Sequence, residues 1–292
     1  PLLMNATILS ILEINGVDSY MATQFQLELT WYDQRLQYFD LRDNIEQNSL
    51  IRSEINAIWL PTLQFQNTDS LLTTLVDKEL TVKVRLTTQG TSSDLKSVTE
   101  RLNYKGEYSP LTSKRNYDIR FQCDFRLRMY PFDSQICLMN FTFMDDLKDV
   151  ARLMTTDPIF TGSKSIGEFA IKKIEALQVD DNNIVIRVYM QRAFNKMFST
   201  TYVPSLTLLV IAHLTHYFPF RGFQEHGIII ALTCMLVIST LFVSTNRDLP
   251  VTTETTFIEI WMIGSVVFTF AEIILHTAIE YNRASENKEV YD

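Results

Sequence analysis

The amino-acid sequence predicts two domains, an all-β extracellular sandwich over residues 1–197 and an α-helical transmembrane domain over residues 198–292. The first prediction rests on short segments in which apolar and polar residues alternate with period two, as in strands with one buried face. The second rests on three long apolar stretches, each able to cross the roughly 30 Å hydrocarbon layer of a membrane. With 46% apolar and 21% charged residues, the 292-residue chain has the composition of a folded protein.

Turn signals separate the alternating segments, as expected for a sandwich of regular short strands. The segments are 6–14, 22–30, 80–86, 118–125 and 184–191, and turn residues stand at Asn15-Gly16 and at 180–183. Between these strands, residues 42–60 are expected to form a helical or irregular insertion. The sequence of this region lacks the strand–helix alternation of an α/β enzyme.

The apolar stretches carry very few charges. Residues 197–220 and 226–246 contain no formally charged side chain, and residues 257–279 contain only Glu259 and Glu272. We therefore predict membrane helices at about 198–219, 226–246 and 256–280. Because the sequence begins at Pro1 without an export signal, we expect an N-terminus that has been processed or trimmed.

Charge balance and missing catalytic motifs exclude several classes of function. The 26 basic and 34 acidic residues give a formal net charge of −8, which argues against a nucleic-acid-binding surface. The sequence has no glycine-rich phosphate loop, nucleophile elbow or paired-cysteine zinc pattern, so we expect neither an enzyme nor a bound cofactor or metal ion. For His213, His216 and His276, within the apolar stretches, we expect buried or interfacial packing.

Two of the three cysteines bracket a segment of thirteen residues. In an exported domain, Cys123 and Cys137 are expected to form a disulfide. Closing a loop of about 15 residues stabilises a fold by about 3 kcal/mol in the chain-entropy model. Cys234, in the second apolar stretch, is expected to be a small buried apolar residue. Sequons at Asn5 and Asn140 predict glycosylation, in agreement with an extracellular location.

The segment between the cysteines contains Tyr130-Pro131-Phe132-Asp133 and then Gln135. Other motifs are Trp31-Tyr32-Asp33-Gln34-Arg35-Leu36, Ile58-Trp59-Leu60-Pro61 followed by Asn67, and Arg192 twelve residues before Pro204. Together they resemble the motifs of the Cys-loop pentameric ligand-gated ion channels, in a divergent, invertebrate-like form. The sequence departs from the family pattern after Pro61, where the family has an acidic residue and this chain has Thr62. A fourth membrane helix is also expected from the resemblance but is absent from this sequence.

The resemblance implies a subunit of a pentameric ligand-gated ion channel, a multi-pass protein of the plasma membrane with its N-terminal domain outside. We expect a homopentamer in the lipid bilayer, gated by a small-molecule or ionic ligand of unknown identity. Cation permeability is the expected selectivity, and an anion-selective (chloride) member of the family is the alternative. From another class, the alternative is a membrane-tethered β-sandwich used for adhesion or binding. The hydroxyls of Thr233 and Thr240 argue against it, because an anchor does not need them.

The ligand pocket implied by the resemblance has lost its aromatic rings. The positions of rings that surround an amine ligand in the family hold Gln26, Gln66 and Met144 here. Because cation–π attraction is worth up to about 2 kcal/mol in a desolvated site, their absence predicts a degenerate amine pocket. The loop at 180–183, which would close over a ligand, is short and has no aromatic residue. The alternative is an alignment shifted by one residue, which would place Phe25 and Phe143 in the pocket.

The second apolar stretch has the pattern of a pore-lining helix. Counted from Pro250, the stripe is Ile229, Thr233, Leu236, Thr240, Val243 and Arg247, with spacings of four and three that keep it on one helix face. Five copies of Leu236 would form an apolar ring able to gate by dewetting. The alternative is an ordinary lipid-facing span whose hydroxyls bond internally.

The residue expected to set charge selectivity is Glu225, at the inner mouth of the pore. A ring of five carboxylates attracts cations and repels anions. The Pro-Ala-Arg segment that the resemblance would imply for an anion channel is absent, and Phe223-Gln224-Glu225-His226-Gly227 stands there. The alternative role for Glu225 is that of an interfacial polar anchor.

Three segments are expected to couple the outer domain to the pore. They are the turn at Asp18, the 130–133 part of the loop between the cysteines, and the connection around Pro250. Arg192 is expected to pair with an acidic residue in this region, with Asp133 as one candidate. Such ion pairs can bias a bistable element, or they can simply hold the domains together.

Overall fold

The computed structural model describes residues 1–68, 74–75, 80–87, 103–143, 152–217, 223–247, 249 and 254–289, with the backbone alone for 74–75, 223–225 and 283–289. The chain forms two compact units. The first comprises Pro1–Phe125 and Gln135–Gln191, and the second comprises Arg126–Ser134 and Arg192–Asp292. The nine residues of the cysteine-bracketed loop from Arg126 onward thus belong to the second unit, together with the helices.

The first unit consists mainly of β-strands. In chain order they are β1 (Leu2–Asn15), β2 (Tyr20–Trp31), β3 (Gln37–Phe39), β4 (Leu63–Phe65), β5 (Thr74–Leu75), β6 (Thr81–Val84), β7 (Asn103–Lys105), β8 (Leu111–Gln122), β9 (Ser134–Phe143), β10 (Leu153–Thr155), β11 (Ile159–Phe160), β12 (Ser165–Ile166), β13 (Phe169–Asp180) and β14 (Asn183–Arg192). A 3₁₀ turn at Ile45–Gln47 and a short helix α1 (Arg52–Ile55) interrupt them, as predicted for residues 42–60.

Two main sheets account for most of these strands. In the described part of the chain, β10, β1, β2, β8 and β5 lie side by side, with β11 along β1 and β6 along β8. The second sheet has the order β12, β13, β14, β9 and β4, and β3 pairs with β7 in a small separate ribbon. The predicted all-β sandwich is therefore confirmed.

Aromatic side chains fill the space between the two sheets. Phe25 of the first sheet lies 5.9 Å from both Phe65 and Phe141 of the second, measured between ring centroids. Tyr117 and Phe121, also from the first sheet, complete the group. The edge-to-face pairs among these rings contribute beyond their buried area, by about 0.5–1.5 kcal/mol each.

Asn67, the last residue of the tryptophan-and-proline motif, has a structural role: its side chain joins strands of both sheets. The amide nitrogen donates to the carbonyl oxygens of Gln122 (3.1 Å) and Leu138 (2.6 Å), and its oxygen accepts from the backbone nitrogen of Asn140 (3.0 Å). One side chain thus satisfies three backbone groups at the sheet ends, where ladder partners are missing.

The tryptophan–aspartate–arginine motif forms a local structure at the end of β2. Trp31 is buried and meets Trp59 edge to face at 6.3 Å, while Arg35 donates two hydrogen bonds to the Asp33 carboxylate at 2.9 and 2.8 Å. These hydrogen bonds hold the pKa of Asp33 below its ordinary value. Gly106 is required nearby, since a Cβ at that position would lie 2.1 Å from the Asp33 carbonyl oxygen.

The disulfide is present in the structure, within the first unit. Cys123 and Cys137 are bonded, with their Cα atoms 5.0 Å apart, and Cys234 is a buried free cysteine. The strand predicted at 118–125 ends instead at Gln122, because the backbone nitrogen of Cys123 donates to Ser19 in the turn after β1. The bond therefore joins Cys123, just past the end of β8, to Cys137 within β9.

The helices of the second unit follow β14. They are α2 (Asn195–Met197), a π-helical turn (Phe198–Tyr202), α3 (Val203–Leu214), a 3₁₀ turn (Thr215–Tyr217), α4 (Phe223–Arg247) and α5 (Phe257–Glu289). Among the described residues, three helical segments are long and apolar enough to cross a membrane: Asn195–Tyr217, His226–Arg247 and Phe257–Asn282. The first begins three residues before the predicted start, and α4 and α5 extend beyond the predicted spans.

Candidate functional site

The six residues of the predicted pore stripe lie on one exposed face of α4. Ile229, Leu236 and Val243 are 57%, 65% and 54% exposed. Thr233, Thr240 and Arg247 are exposed as well. The opposite face carries small or apolar residues that are buried in the second unit, namely Gly227, Ala231, Cys234 and Ile238. The helix therefore has one face packed against α3 and α5 and one face with no cover within the subunit.

The threonine hydroxyls on this face bond to their own helix. Thr233 donates to the carbonyl oxygen of Ile230 at 2.7 Å, and Thr240 donates to that of Val237 at 2.8 Å. This is the internal bonding expected of hydroxyls in a lipid-facing span. A hydroxyl also has two acceptor lone pairs, so each oxygen can still accept a hydrogen bond from water. The stripe is thus compatible with an aqueous lining as well.

The structure does not describe the side chains of three predicted site residues. Glu225 lies in the first turn of α4, where the structure describes the backbone alone. Met144 and Pro250 lie outside the described residues. Their predicted roles in the selectivity, ligand and coupling sites therefore stay predictions.

The pair proposed for Arg192 is present inside the second unit. The Arg192 guanidinium donates to both carboxylate oxygens of Asp133, at 2.8 and 3.3 Å, and its backbone nitrogen donates to the Asp133 carbonyl at 3.2 Å. Both side chains are almost fully buried, at 3% and 2% exposed. The guanidinium also stands 4.6 Å above the Tyr130 ring, in cation–π geometry. The Tyr130–Pro131 peptide of this loop is cis.

Phe132, the next residue of the same loop, contacts the beginnings of two helices. Its ring centroid lies 5.4 Å from Phe194, 6.0 Å from Tyr202 and 5.9 Å from Phe257. The backbone nitrogen of Phe257, the first residue of α5, donates to the carbonyl of Arg128 in the loop at 2.9 Å. The loop therefore touches both the first membrane helix and α5 where they start.

Phe194 and Phe257 were not singled out by sequence reasoning. No local signal marks them, because the aromatic residues enriched at membrane–water interfaces are Trp and Tyr. The start of α5 is further ordered by a capping box. Thr256 Oγ1 accepts from the Glu259 backbone nitrogen at 3.4 Å, and the Glu259 carboxylate accepts from the Thr256 backbone nitrogen at 2.7 Å.

Asp18, the other predicted coupling residue, lies in an exposed turn of the first unit. Asn15 organises this turn, because its side-chain oxygen accepts from the backbone nitrogens of Val17 (2.9 Å) and Asp18 (3.0 Å). Its side-chain nitrogen donates to the Asp18 carboxylate at 3.0 Å. The turn has a defined shape, and the Asp18 side chain is held by it.

In the ligand region, the two described polar replacements lie on different sheets. Gln26 on β2 donates to the Asn116 side chain of β8 at 2.9 Å, whereas Gln66 is exposed directly after β4. Gln26 follows the core residue Phe25 within β2, so alternation along the strand points it away from the core, and Gln66 follows the half-buried Phe65 and is exposed. They therefore do not form one pocket within a single subunit.

The shifted alignment finds no support in the structure. Phe25 and Phe143 have no exposed surface, and both belong to the apolar core between the sheets. Neither ring is available to a ligand in solution. The hairpin between β13 and β14 is as short as predicted, with only Asp181 and Asn182 between the strands. The two hairpin residues carry a carboxylate and an amide and no aromatic ring.

The two sequon asparagines differ in their surroundings. The Asn5 side-chain oxygen accepts a hydrogen bond from the Thr156 hydroxyl at 2.8 Å. The Asn140 side-chain oxygen is buried and has no hydrogen-bond partner among the described residues. Glycosylation at either site stays a prediction. Within the described part of the chain, no group of three or more His, Cys, Asp or Glu side chains is arranged to hold a metal ion.

A β-sandwich followed by apolar helices, with a disulfide-closed loop packed on two helix starts, defines the architecture of a membrane receptor channel. The family model described as the neurotransmitter-gated ion-channel ligand binding domain matches residues 2–202. The chain therefore belongs to this family of ligand-gated ion channels, which are not enzymes. Members are multi-pass plasma-membrane proteins with an extracellular ligand-binding domain, and the three apolar helices fit that location.

Relatives that are named for different transmitters resemble the chain over most of its length. A glutamate-gated chloride channel of Drosophila melanogaster is 21% identical over 98% of this chain and 60% of its own length. A gamma-aminobutyric acid receptor subunit beta of Lymnaea stagnalis is 22% identical over 92% and 53%. The acetylcholine receptor subunit alpha-type des-2 of Caenorhabditis elegans is 24% identical over 89% and 47%. The chain thus spans about half to three-fifths of the length of these relatives.

Proposed function

We propose that this chain is a subunit of a homopentameric ligand-gated ion channel in which α4 lines the pore. The observation that carries the proposal is the exposed face of α4. It combines hydroxyl and aliphatic side chains, while the other face is packed against α3 and α5 within the subunit. Five such faces around an axis would enclose a channel with threonine hydroxyls at two levels and the apolar ring of Leu236 between them. We place the boundary between the sensing and pore domains at 197/198.

Gating in this proposal passes through the loop between the cysteines. The buried pair of Arg192 and Asp133 fixes the loop to the residue that enters the first membrane helix. Phe132 connects the loop to the start of α5. A ligand-driven movement of the sandwich would displace the loop and, with it, the helix starts. Asp18 and Pro250 complete this coupling region.

The ligand is a small molecule or ion that does not need an aromatic cage. Gln26 and Gln66 replace rings with amides, and the rings that a shifted alignment would supply, Phe25 and Phe143, are in the core. An amide offers hydrogen bonds to a polar ligand but no π-face to a quaternary ammonium ion. Because these glutamines lie on different sheets, the site would form between neighbouring subunits.

We expect that acetylcholine and serotonin evoke no current from the full-length protein, because the amine cage is missing. The test is whole-cell recording with surface biotinylation of the same cells, which separates a silent receptor from one that is not at the surface. Cells expressing an acetylcholine receptor serve as the positive control, and protons, divalent cations, glutamate and gamma-aminobutyric acid complete the screen. An acetylcholine current that is lost in both Gln26→Ala and Gln66→Ala would contradict the proposed pocket.

For selectivity, we propose that the channel passes cations through a ring of Glu225 carboxylates. Glu225 occupies the first turn of α4, and the first residues of a helix favour a negative charge. The second candidate is a chloride channel. It is favoured by the names of two relatives, the glutamate-gated chloride channel and an acetylcholine-gated chloride channel subunit. The two candidates predict opposite reversal potentials.

A further inference from the structure

Four ionisable side chains meet inside the membrane helices. We call them the His–Glu cluster: His213 and His216 from the first membrane helix, and Glu272 and His276 from α5. Glu272 is only 4% exposed, with its two carboxylate oxygens directed at different histidines. One oxygen lies 3.0 Å from His213 Nδ1, and the other is in hydrogen-bond contact with His216 Nε2. Ionisable residues at such positions are costly and are usually retained for a function.

The hydrogen bonds of Thr215 determine which ring nitrogen of His276 carries a proton. The Thr215 hydroxyl donates its only proton to the Ala212 carbonyl at 2.6 Å. Its oxygen also lies 2.7 Å from His276 Nε2, so the histidine must be the donor in that contact. His276 therefore carries a proton on Nε2, and its Nδ1 is the nitrogen that can take up another.

The two central rings cannot easily carry a positive charge together. His216 and His276 are stacked with their centroids 3.8 Å apart and their planes 13° from parallel. At that distance, outside bulk water, Coulomb repulsion between two imidazolium ions is strong. The nearby Glu272 carboxylate, by contrast, favours one proton on the cluster. The stacked geometry therefore opposes a positive charge on both rings at once.

The remaining ionisable groups around the cluster lie on all three helices. On the first, the Tyr217 hydroxyl is 3.5 Å from His213 Nε2. On α5, Glu280 stands one turn beyond His276 and interacts with it electrostatically. On α4, His226 is exposed and Glu225 has a side chain that lies outside the described part of the structure. The direct contact from α4 is Gly227, which has no charge.

Gly227 connects the cluster to the helix that carries the exposed stripe. A Cβ atom at this glycine would lie 3.1 Å from Cε1 of His276 and 3.5 Å from its Nδ1. The backbone of α4 therefore packs directly on the edge of the ring that includes the titratable nitrogen. A proton on Nδ1 needs a hydrogen-bond acceptor, and repulsion from a charged His216 would push the ring out of its stack. Either change alters the contact with α4.

We propose that the His–Glu cluster is a proton-binding site that couples pH at the cytoplasmic end of the helices to the packing of α4. The site lies at the end of the first membrane helix that is remote in sequence from the extracellular domain, so cytoplasmic protons reach it first. Acid weakens the stack of His216 and His276 and shifts the equilibrium away from the arrangement with Gly227 against the ring. The effect on current rests on the proposed channel function, whereas the proton site itself does not.

Proton binding is measured by NMR of labelled histidine in the purified full-length protein in lipid nanodiscs. The four histidines present in the chain can be assigned by single substitutions to glutamine, which keeps an N–H donor. We expect His276 to take up a proton in this cluster, and we expect His216→Gln to move the His276 step by about one pH unit or more. The control His226→Gln should leave the His276 step in place. A His276 step that His216→Gln does not move, or no step between about pH 5 and 8, would overturn the proposal.

The link to the pore is measured by changing pH on the inner side of excised patches. We expect a change in the open-to-closed ratio of about fivefold or more, the lower end of a typical allosteric coupling, and its loss in His276→Gln. Gly227→Ala places a methyl group 3.1 Å from His276 Cε1, and we expect it to change the ratio in the same direction as acid. If NMR shows the coupled proton site but the current does not depend on pH, only the link between the site and the pore would be overturned. A protein without current in any condition would count against the proposed function, while NMR still decides the proton site.

Discussion

Arg192→Ala is expected to prevent the protein from reaching the cell surface in folded form. The change removes the guanidinium that bonds both carboxylate oxygens of Asp133, and so breaks an ion pair whose two side chains are almost fully buried. Breaking a buried ion pair in this way costs about 3–5 kcal/mol, against a total stability of about 5–15 kcal/mol for a typical domain. Asp133→Ala should be equally damaging, because it breaks the same buried ion pair. Surface biotinylation and the thermal unfolding of purified protein measure the effect.

The chain contains a matched control for this prediction. Arg35 also pairs with an aspartate, Asp33, but its side chain is 75% exposed. The Asp33 side chain is 7% exposed, but its carboxylate also accepts from the Arg35 backbone nitrogen at 3.0 Å, which the substitution keeps. Arg35→Ala should therefore be much less damaging than Arg192→Ala. The double variant Arg192→Met with Asp133→Leu removes both buried charges and should be less damaging than either single alanine variant. Wild-type stability of Arg192→Ala would show that the pair is dispensable.

Glu225→Gln is expected to reduce cation conductance, or cation preference, more than any other neutral substitution at the ends of α4. Five carboxylates at a narrow mouth create a negative potential on the path of the ion. The Debye length at physiological salt is about 8 Å, comparable with a pore radius, so screening does not remove this potential. Reversal potentials in sodium and chloride gradients measure the selectivity, and single-channel recording measures the conductance.

Arg247→Gln is the matched control at the opposite end. Arg247 is the last residue of α4, 22 residues from Glu225, which corresponds to about 33 Å at the rise of an α-helix. Its side chain is exposed at the outer end, where we expect a wider and better screened vestibule, so its loss should change conductance less. A reversal potential that follows the chloride gradient and ignores sodium would replace the cation proposal with the anion alternative.

The fold could be predicted from sequence because periodicity is a local property. The alternation in β1, β2 and β14 and the uncharged stretches of the helices depend only on which face of each element is buried. Strand β13 was not predicted, since only its first three residues show clear alternation in their burial. Asp133 could be named from sequence as one candidate partner of Arg192, because both residues stand in recognisable motifs.

The less predictable features depend on contacts between distant segments. Nothing local to residues 126–134 indicates that Phe132 meets Phe194 and Phe257, or that this loop belongs to the helical unit. The His–Glu cluster joins histidines to residues about 60 positions away, so sequence reasoning could assign those histidines only to packing. Helical spacing was the available signal: positions three apart on one helix and four apart on another place the side chains on one face of each.

The central claim is that the exposed face of α4 borders water, and charged thiol reagents test it without a known ligand. In the full-length protein with Cys234→Ala, single cysteine substitutions are reacted with a membrane-impermeant cationic reagent and the modified fraction is measured by gel shift. Thr233→Cys and Thr240→Cys should react, whereas Ile238→Cys, on the buried face, should not.

Val267→Cys is the lipid-facing control, because Val267 is exposed on α5 within an apolar span, and a thiol in lipid is inaccessible to a charged reagent. Reaction at Thr233→Cys and Thr240→Cys well above that at Val267→Cys is the result we predict. If these positions react no faster than Val267→Cys, α4 faces lipid and does not line a pore.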